Sequence, residues 1–240
     1  AEKYIRNRYK KSGIQIKKEV LEFLENIELD MIESKNRQKL LLSDIYAFPL
    51  LRGASSKNKK QETFYKDEEG VLNFIENKKF VLISGEKEFG KSALLKHLFK
   101  AFYDRDKFPI FMKIADINSV DGEEMNETIS QLYKNHYNNL DDEYIMQIKP
   151  EKKVCLIDDF EEIKLQDKSI KKLLEYLTNK FGTVLITNNL RNDILSFLKN
   201  IETKDFIAEK FSTLTITELR QYGRRKLVEK WLLLSDPDQD

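Results

Sequence analysis

The stretch VLISGEKEFGKS at residues 81–92 limits what this chain can fold into more than any other part of it. An apolar, β-branched run stops at Gly85, and Gly90, Lys91 and Ser92 complete the spacing G-x-x-x-x-G-K-[ST]. The pattern needs a strand to deliver a loop, glycines to free its backbone, N–H groups to wrap phosphate oxygens, and a helix whose positive end faces them. FVLIS supplies the strand. SALLKHLFKAFY supplies the helix, with Leu94, Leu95, Leu98 and Phe102 expected to face a sheet. With glycine at about 7% of residues, a chance match in a chain this long is on the order of one in a hundred.

The loop predicts a nucleotide cradle made by Gly85, Glu86, Lys87, Glu88, Phe89, Gly90, Lys91, Ser92 and Ala93. Lys91 is expected to reach the β and γ phosphates of ATP, and Ser92 to hold Mg²⁺. Glu86 and Glu88 are tolerated because the middle of such a loop binds through its main chain, leaving those side chains free to point to solvent. Lys87, Lys91 and Mg²⁺ offset their charge.

A second apolar run, KVCLIDDFEEI, ends in Asp158, Asp159, Glu161 and Glu162. A carboxylate at the C-terminal end of a strand beside the phosphate loop can join the Mg²⁺ shell, and Asp158 is the candidate. A following acid can orient or deprotonate an attacking water, and Asp159, Glu161 and Glu162 compete for that role. TVLIT ends at Thr187, Asn188 and Asn189, polar groups able to sense the γ-phosphate or to form an Asn-rich turn. Arg191 reads first as a solvent-facing residue at a helix start.

Around these motifs the pattern alternates. FVLIS (80–84), PIFMKIA (109–115), KVCLID (153–158), TVLIT (183–187) and, more weakly, DFIAEKF (205–211) read as strands, and the first four suit strands covered on both faces. Helical runs lie between them, including KSIKKLLEYLTNKFG (168–182), with a glycine suited to a helix end. The reading is an α/β fold with a mainly parallel five-stranded sheet, helices on both faces and an N-terminal helical lead. Residues 1–52 form that lead, in which Ile16, Val20, Phe23, Leu24, Ile27 and Met31 keep helical spacing. Residues 53–68 read as a polar linker or loop, 69–212 as the nucleotide domain and 213–240 as the start of a helical region. In that last region Leu219, Tyr222, Leu227, Val228 and Trp231 are expected to be buried, with Arg220, Arg224, Arg225, Lys226 and Lys230 in solvent.

Composition narrows the partners. The chain has 42 Lys+Arg against 41 Asp+Glu, so no global charge excess indicates nucleic acid or a membrane, and any basic site must be local. One cysteine, Cys155, and two histidines, His97 and His136, leave no Cys/His metal site or internal disulfide. No apolar run approaches the ~18 residues of a bilayer span, and no apolar run follows the basic N-terminus. A cytoplasmic location is expected.

With ISGEKEFGKSALLK, VCLIDDFEE, TVLITNN and FSTLTITELRQYGRRKLVEKWLLL in view, the chain resembles the STAND class of P-loop NTPases, which includes NACHT and NB-ARC modules and is related to AAA+ proteins, over roughly residues 69–234. The resemblance implies ASCE-type strand order. The NACHT pattern falls on Asp158, Glu161 and Glu162, and the NB-ARC pattern on Asp158 and Asp159, so the catalytic acid stays open. FPIFMKIADI looks like the second strand of NACHT modules, and LSDIYAFPLL like the lead-in of bacterial defence proteins of this class. Asn188 and Asn189 stand where such modules commonly carry a sensor arginine, and no winged-helix or repeat region follows Trp231, as in a piece of a longer protein.

The resemblance implies an ATP-binding, slowly hydrolysing switch that self-oligomerises through its NTPase domain, in bacterial antiviral defence. Two alternatives are a DNA-associated AAA+ motor or loader and a scaffold that keeps its nucleotide unhydrolysed. TNNLRND is not a guanine-reading NKxD motif, which favours ATP over GTP.

Overall fold

A computed structural model describes residues 14–27, 40–54, 62–114, 117, 119–189, 198–218 and 221–235. In chain order these form α1 (Lys18–Glu25), α2 (Leu42–Ile45), β1 (Leu51–Ala54), β2 (Glu62–Tyr65), α3 (Glu68–Lys78), β3 (Phe80–Gly85), α4 (Lys91–Asp104), β4 (Phe108–Lys113), α5 (Gly122–His136) and α6 (Asp142–Gln147). They continue with β5 (Lys153–Asp158), α7 (Asp167–Lys180), β6 (Thr183–Asn189), α8 (Ile201–Lys210), β7 (Ser212–Ile216) and α9 (Gln221–Ser235).

The sheet order is β2-β1-β7-β3-β6-β5-β4. Five strands, β7-β3-β6-β5-β4, run parallel, with β3 between β7 and β6. Successive residues of a strand face opposite sides, and Val81 to Gly85 and Val154 to Asp158 are all buried, so helices cover both faces. Leu94, Leu95, Leu98 and Phe102 of α4 are completely buried, as their spacing predicts.

Four of the predicted strands fall in place and the fifth does not. All of DFIAEKF but its last residue lies in α8, where the Asn200 side chain accepts from the Thr203 N–H as an N-cap and Thr203 and Ile207 face inward at helical spacing. The strand is the adjacent STLTI, β7, so a domain boundary at 212 cuts a central strand.

The sheet has seven strands rather than five. Part of the expected 53–68 linker is strand: β1 pairs antiparallel with both β2 and β7. As an outer strand, β2 carries mostly exposed residues and shows no apolar run.

In α1, Leu21 and Leu24 are buried and Phe23 packs edge-on against Phe111 at 5.1 Å. Ile16 precedes this helix and bridges to Tyr137 instead; Met31 lies outside the described residues. In α9, Leu227 and Val228 are exposed, against the expected buried face, and Trp231 is half-buried. Leu219, Arg220 and the Tyr222 side chain lie outside the described residues.

Gly182 does not end a helix by adopting positive φ. Its N–H donates to the Pro150 carbonyl at 2.6 Å, and a Cβ there would stand 2.5 Å from the Glu151 Cα. Close approach of two backbones requires glycine here.

Candidate nucleotide site

The loop is built by the turn between β3 and α4. Gly90 sits at φ +82° immediately before α4, and Glu88 shares the left-handed region at φ +68°. Gly85 is closely covered: a Cβ would lie 3.3 Å from the Ile216 Cβ and 3.5 Å from the Lys91 Cγ. The Leu94 N–H closes the first helical turn on the Gly90 carbonyl at 2.9 Å. Glu86, Lys87 and Glu88 are exposed, so the glutamates face solvent as the loop chemistry predicts.

Lys91 is buried, and its Nζ donates to the Gly85 carbonyl at 3.1 Å and the Glu86 carbonyl at 2.9 Å. The ammonium is thus folded back over the loop's own carbonyls, a cation at the site where phosphate charge is expected. Ser92 and Ala93 are half-buried in the first turn of α4, and Phe89 packs against the core beneath the loop. These features fit a polyphosphate held by main-chain N–H groups at a helix N-terminus.

Across β6, β5 brings up the acids. Asp158 ends β5 and is buried. The wholly buried Thr187 hydroxyl donates to the Asp158 Oδ1 and accepts from the Asp159 N–H at 3.1 Å. That hydroxyl thus donates to one acid of the turn and accepts from the backbone of the next, tying the end of β6 to the end of β5. Asn188 is also buried, and its Oδ1 accepts from the Ser84 hydroxyl at 2.9 Å. Its amide NH₂ is the group left to offer a ligand. Arg191 lies outside the described residues.

Asp159 adopts φ +50°, and the fully buried Phe160 behind it anchors the short 3₁₀ turn Phe160–Glu162. Desolvation, then the negative charges of Asp158, Glu161 and Glu162, push the Asp159 carboxyl up to about 6, while Lys91 pulls it down. The Glu161 Oε2 is buried without a hydrogen-bond partner. Four carboxylates crowd one strand end with Lys91 nearby, an arrangement that a divalent cation would relieve. Among the described residues no three His, Cys, Asp or Glu side chains group as a metal cage by themselves. Mg²⁺ keeps several waters and takes one or two protein ligands with substrate phosphates. Ser92 and Asp158 are the residues suited to supply them.

The structure also shows contacts the sequence did not reveal. His97 on α4 hydrogen-bonds Glu68 through Nε2 at 2.5 Å and stacks on Tyr46 at 4.5 Å. Burial holds its imidazole below the ordinary value against the pull of Glu68. Its carboxylate partner is 29 residues away, beyond any local spacing rule. Lys230 of α9 donates to the Tyr46 carbonyl at 2.8 Å, so one aromatic residue of the lead touches both α4 and α9. Cys155 is a fully buried strand residue whose thiol burial pushes far above its usual range.

A family model described as an AAA domain matches residues 77–221. The chain belongs to this AAA family of P-loop NTPases. No protein of curated function matches it. Among solved structures, AMPPCP-bound DnaA from Aquifex aeolicus is similar at 16% identity and a TM-score of 0.41, covering 68% of this chain and 49% of that one. C. elegans PCH-2 follows at 16% and 0.38, covering 68% and 41%. Drosophila ORC bound to DNA stands at 13% and 0.39, covering 69% and 31%. The chain spans less than half the length of each of these three structures, and at such TM-scores the likenesses add no argument to the family match. Among the described residues no helix of this AAA chain is long and apolar enough to cross a membrane.

Proposed function

We propose that this AAA chain binds ATP with Mg²⁺ and hydrolyses the β–γ phosphate bond. The observation that carries the reading is the buried Lys91 ammonium at the start of α4, set beside the carboxylates that end β5. Mg²⁺ would neutralise charge on the phosphates and polarise the transferred phosphoryl group. The chain's part is positioning. The loop N–H groups and Lys91 would hold the β and γ phosphates, and Ser92 and Asp158 would hold the metal. Thr187 keeps the Asp158 carboxylate in one orientation, and Asn188 offers its amide.

An acid of the β5 turn would take the proton of the attacking water. Asp159 is the preferred base, because a carboxylate pushed up to about 6 accepts a proton more readily than an ordinary one. Glu161 and Glu162 are the competitors. Titration calorimetry with ATP, ADP and GTP on wild type and Lys91→Ala tests the root of this reading. The variant is expected to lose about 100-fold in ATP affinity; equal affinity in the two proteins overturns it.

Within this class, the STAND-like motifs GEKEFGKS and DDFEE support a switch in which hydrolysis resets an ATP-favoured, self-associating state. Its test is sedimentation with ATP and with ADP, and ATP-independent mass sinks it. A defence role rests on the same motifs; phage protection that survives Lys91→Ala would speak against it.

A further inference from the structure

We propose that the N-terminal edge of the parallel sheet, opposite the phosphate loop, binds single-stranded nucleic acid, with phosphates on its lysines and one base in the cavity beside Tyr144. This goes beyond the ATP reading and rests on a different part of the molecule.

The five parallel strands start almost flush. Phe108 is level with Lys153, Val154 with Thr183, Phe80 with Val184, and Val81 with Ser212. Residues just ahead of each strand therefore share one edge, roughly 19 Å across at the usual spacing of neighbouring strands. Each strand has a lysine within the three residues before it. Across the sheet from β7 to β4 these are Lys210, Lys79, Lys180, Lys152 and Lys107. All but Lys107 are exposed, and Lys107 is half-buried with its Nζ on the Glu151 carbonyl at 2.9 Å. Burial, and then the charge of Lys180, hold the Lys153 ammonium below its ordinary value, so two cations of this edge feel each other.

Acids interrupt the strip without cancelling it. Glu76 is bound by Arg105 at 3.1 Å, Glu209 adjoins Lys210 and Glu151 adjoins Lys152. At the β4 end the strip opens into a cavity of about 540 Å³, within the usual size of ligand pockets. Lys107, Lys149 and Lys152 line it against a single lining carboxylate, Asp106. Its aromatic walls are Tyr103, Phe108 and Tyr144. Tyr144 is 44% exposed and its ring meets Phe108 edge-on at 6.5 Å, leaving area for a flat group.

A row of cations tracking a backbone beside an exposed aromatic ring is the arrangement single strands use, because every base has a face to stack. An anionic membrane would use the lysines and have no use for the cavity. The near-zero net charge of the chain hides this segregation, since Asp158, Asp159, Glu161 and Glu162 collect at the opposite edge.

The test is fluorescence anisotropy of a short labelled oligothymidylate titrated with the protein, at salt between about 50 and 200 mM. Lys149→Gln with Lys152→Gln and Lys180→Gln is expected to flatten the log–log salt slope by about 2, at ~0.7 for each phosphate that is no longer neutralised. Tyr144→Ala is expected to weaken binding about tenfold and leave the slope alone. The triple variant should keep wild-type ATP affinity, and Lys91→Ala should keep oligothymidylate binding, so this proposal and the ATP reading fail separately. Absence of binding at low salt, or an unchanged slope in the triple variant, overturns the proposal. So does binding to phosphatidylserine vesicles without binding to the oligonucleotide.

Discussion

Two groups of charge flank the phosphate-loop helix α4, and they are built on opposite terms. Near its start, Asp158, Asp159, Glu161 and Glu162 crowd together, with Asp159 raised to about 6 and an oxygen of Glu161 buried without a partner. Near its end, Lys100 donates to the Glu25 Oε1 at 2.7 Å, and the Ser43 N–H to the Glu25 Oε2 at 2.9 Å. Burial alone would raise the Glu25 carboxyl; the bonds from Lys100 and Ser43 outweigh it and hold the group below its ordinary value. One cluster is left in need of positive charge and the other is satisfied. The first is suited to a cation. The second joins the lead to α4.

Substitutions can break that contrast. Glu25→Ala leaves the Lys100 ammonium, only 10% exposed, without its carboxylate, and should cost about 3–5 kcal/mol in urea denaturation. Replacing both partners, as Glu25→Leu with Lys100→Met, should recover most of that loss; a double variant as unstable as Glu25→Ala would mean the pair does more than compensate itself. At the other end of α4, Asp158→Asn should lower ATP hydrolysis by about 10²–10³-fold, equivalent to roughly 3–4 kcal/mol of barrier, with little change in stability. Hydrolysis at the wild-type rate would remove Asp158 from the metal site.

Smaller effects sharpen the comparison. A carboxylate with a depressed folded value contributes stability above its unfolded value of about 4.5 and loses it as pH falls through the folded one. The urea midpoint of wild type should therefore drop below pH ~4.5 by more than that of Glu25→Gln. Equal drops would show that the pair contributes nothing in that window. Last, Glu161→Gln removes one of the crowded charges and should raise stability by about 0.5–1 kcal/mol without nucleotide. A loss of stability there would mean that the buried oxygen is satisfied in solution.

The parts legible in the sequence share one property: their signal is local. β3, β5 and β6 are covered on both faces, so each appears as an unbroken apolar run. Gly85 to Ser92 and Asp158 are readable because loop chemistry fixes their spacing or their place at a strand end. Much of β1 and all of β2 read as linker because an outer hairpin is held by main-chain pairing, which leaves little trace in side-chain pattern. The end of α8 reads as a strand because Phe206 and Ile207 give it a short apolar run, and only the Asn200 cap shows the helix. Thr187 is legible as a polar strand end and its contacts are not, because its partners Asp158 and Asp159 come from another strand and the turn after it. The Glu25–Lys100 pair spans 75 residues and has no sequence signature at all.

The β1–β7 pairing has a practical consequence for anyone excising the AAA module alone. Leu51, Arg52 and Gly53 satisfy the flank of β7 that faces away from β3, and they lie outside the matched region 77–221. A piece trimmed to that region would carry β7 as a bare strand, its N–H and C=O groups open to any other chain. The trimmed protein should precipitate or form oligomers through that strand, and such association would be an artefact of the cut that imitates assembly.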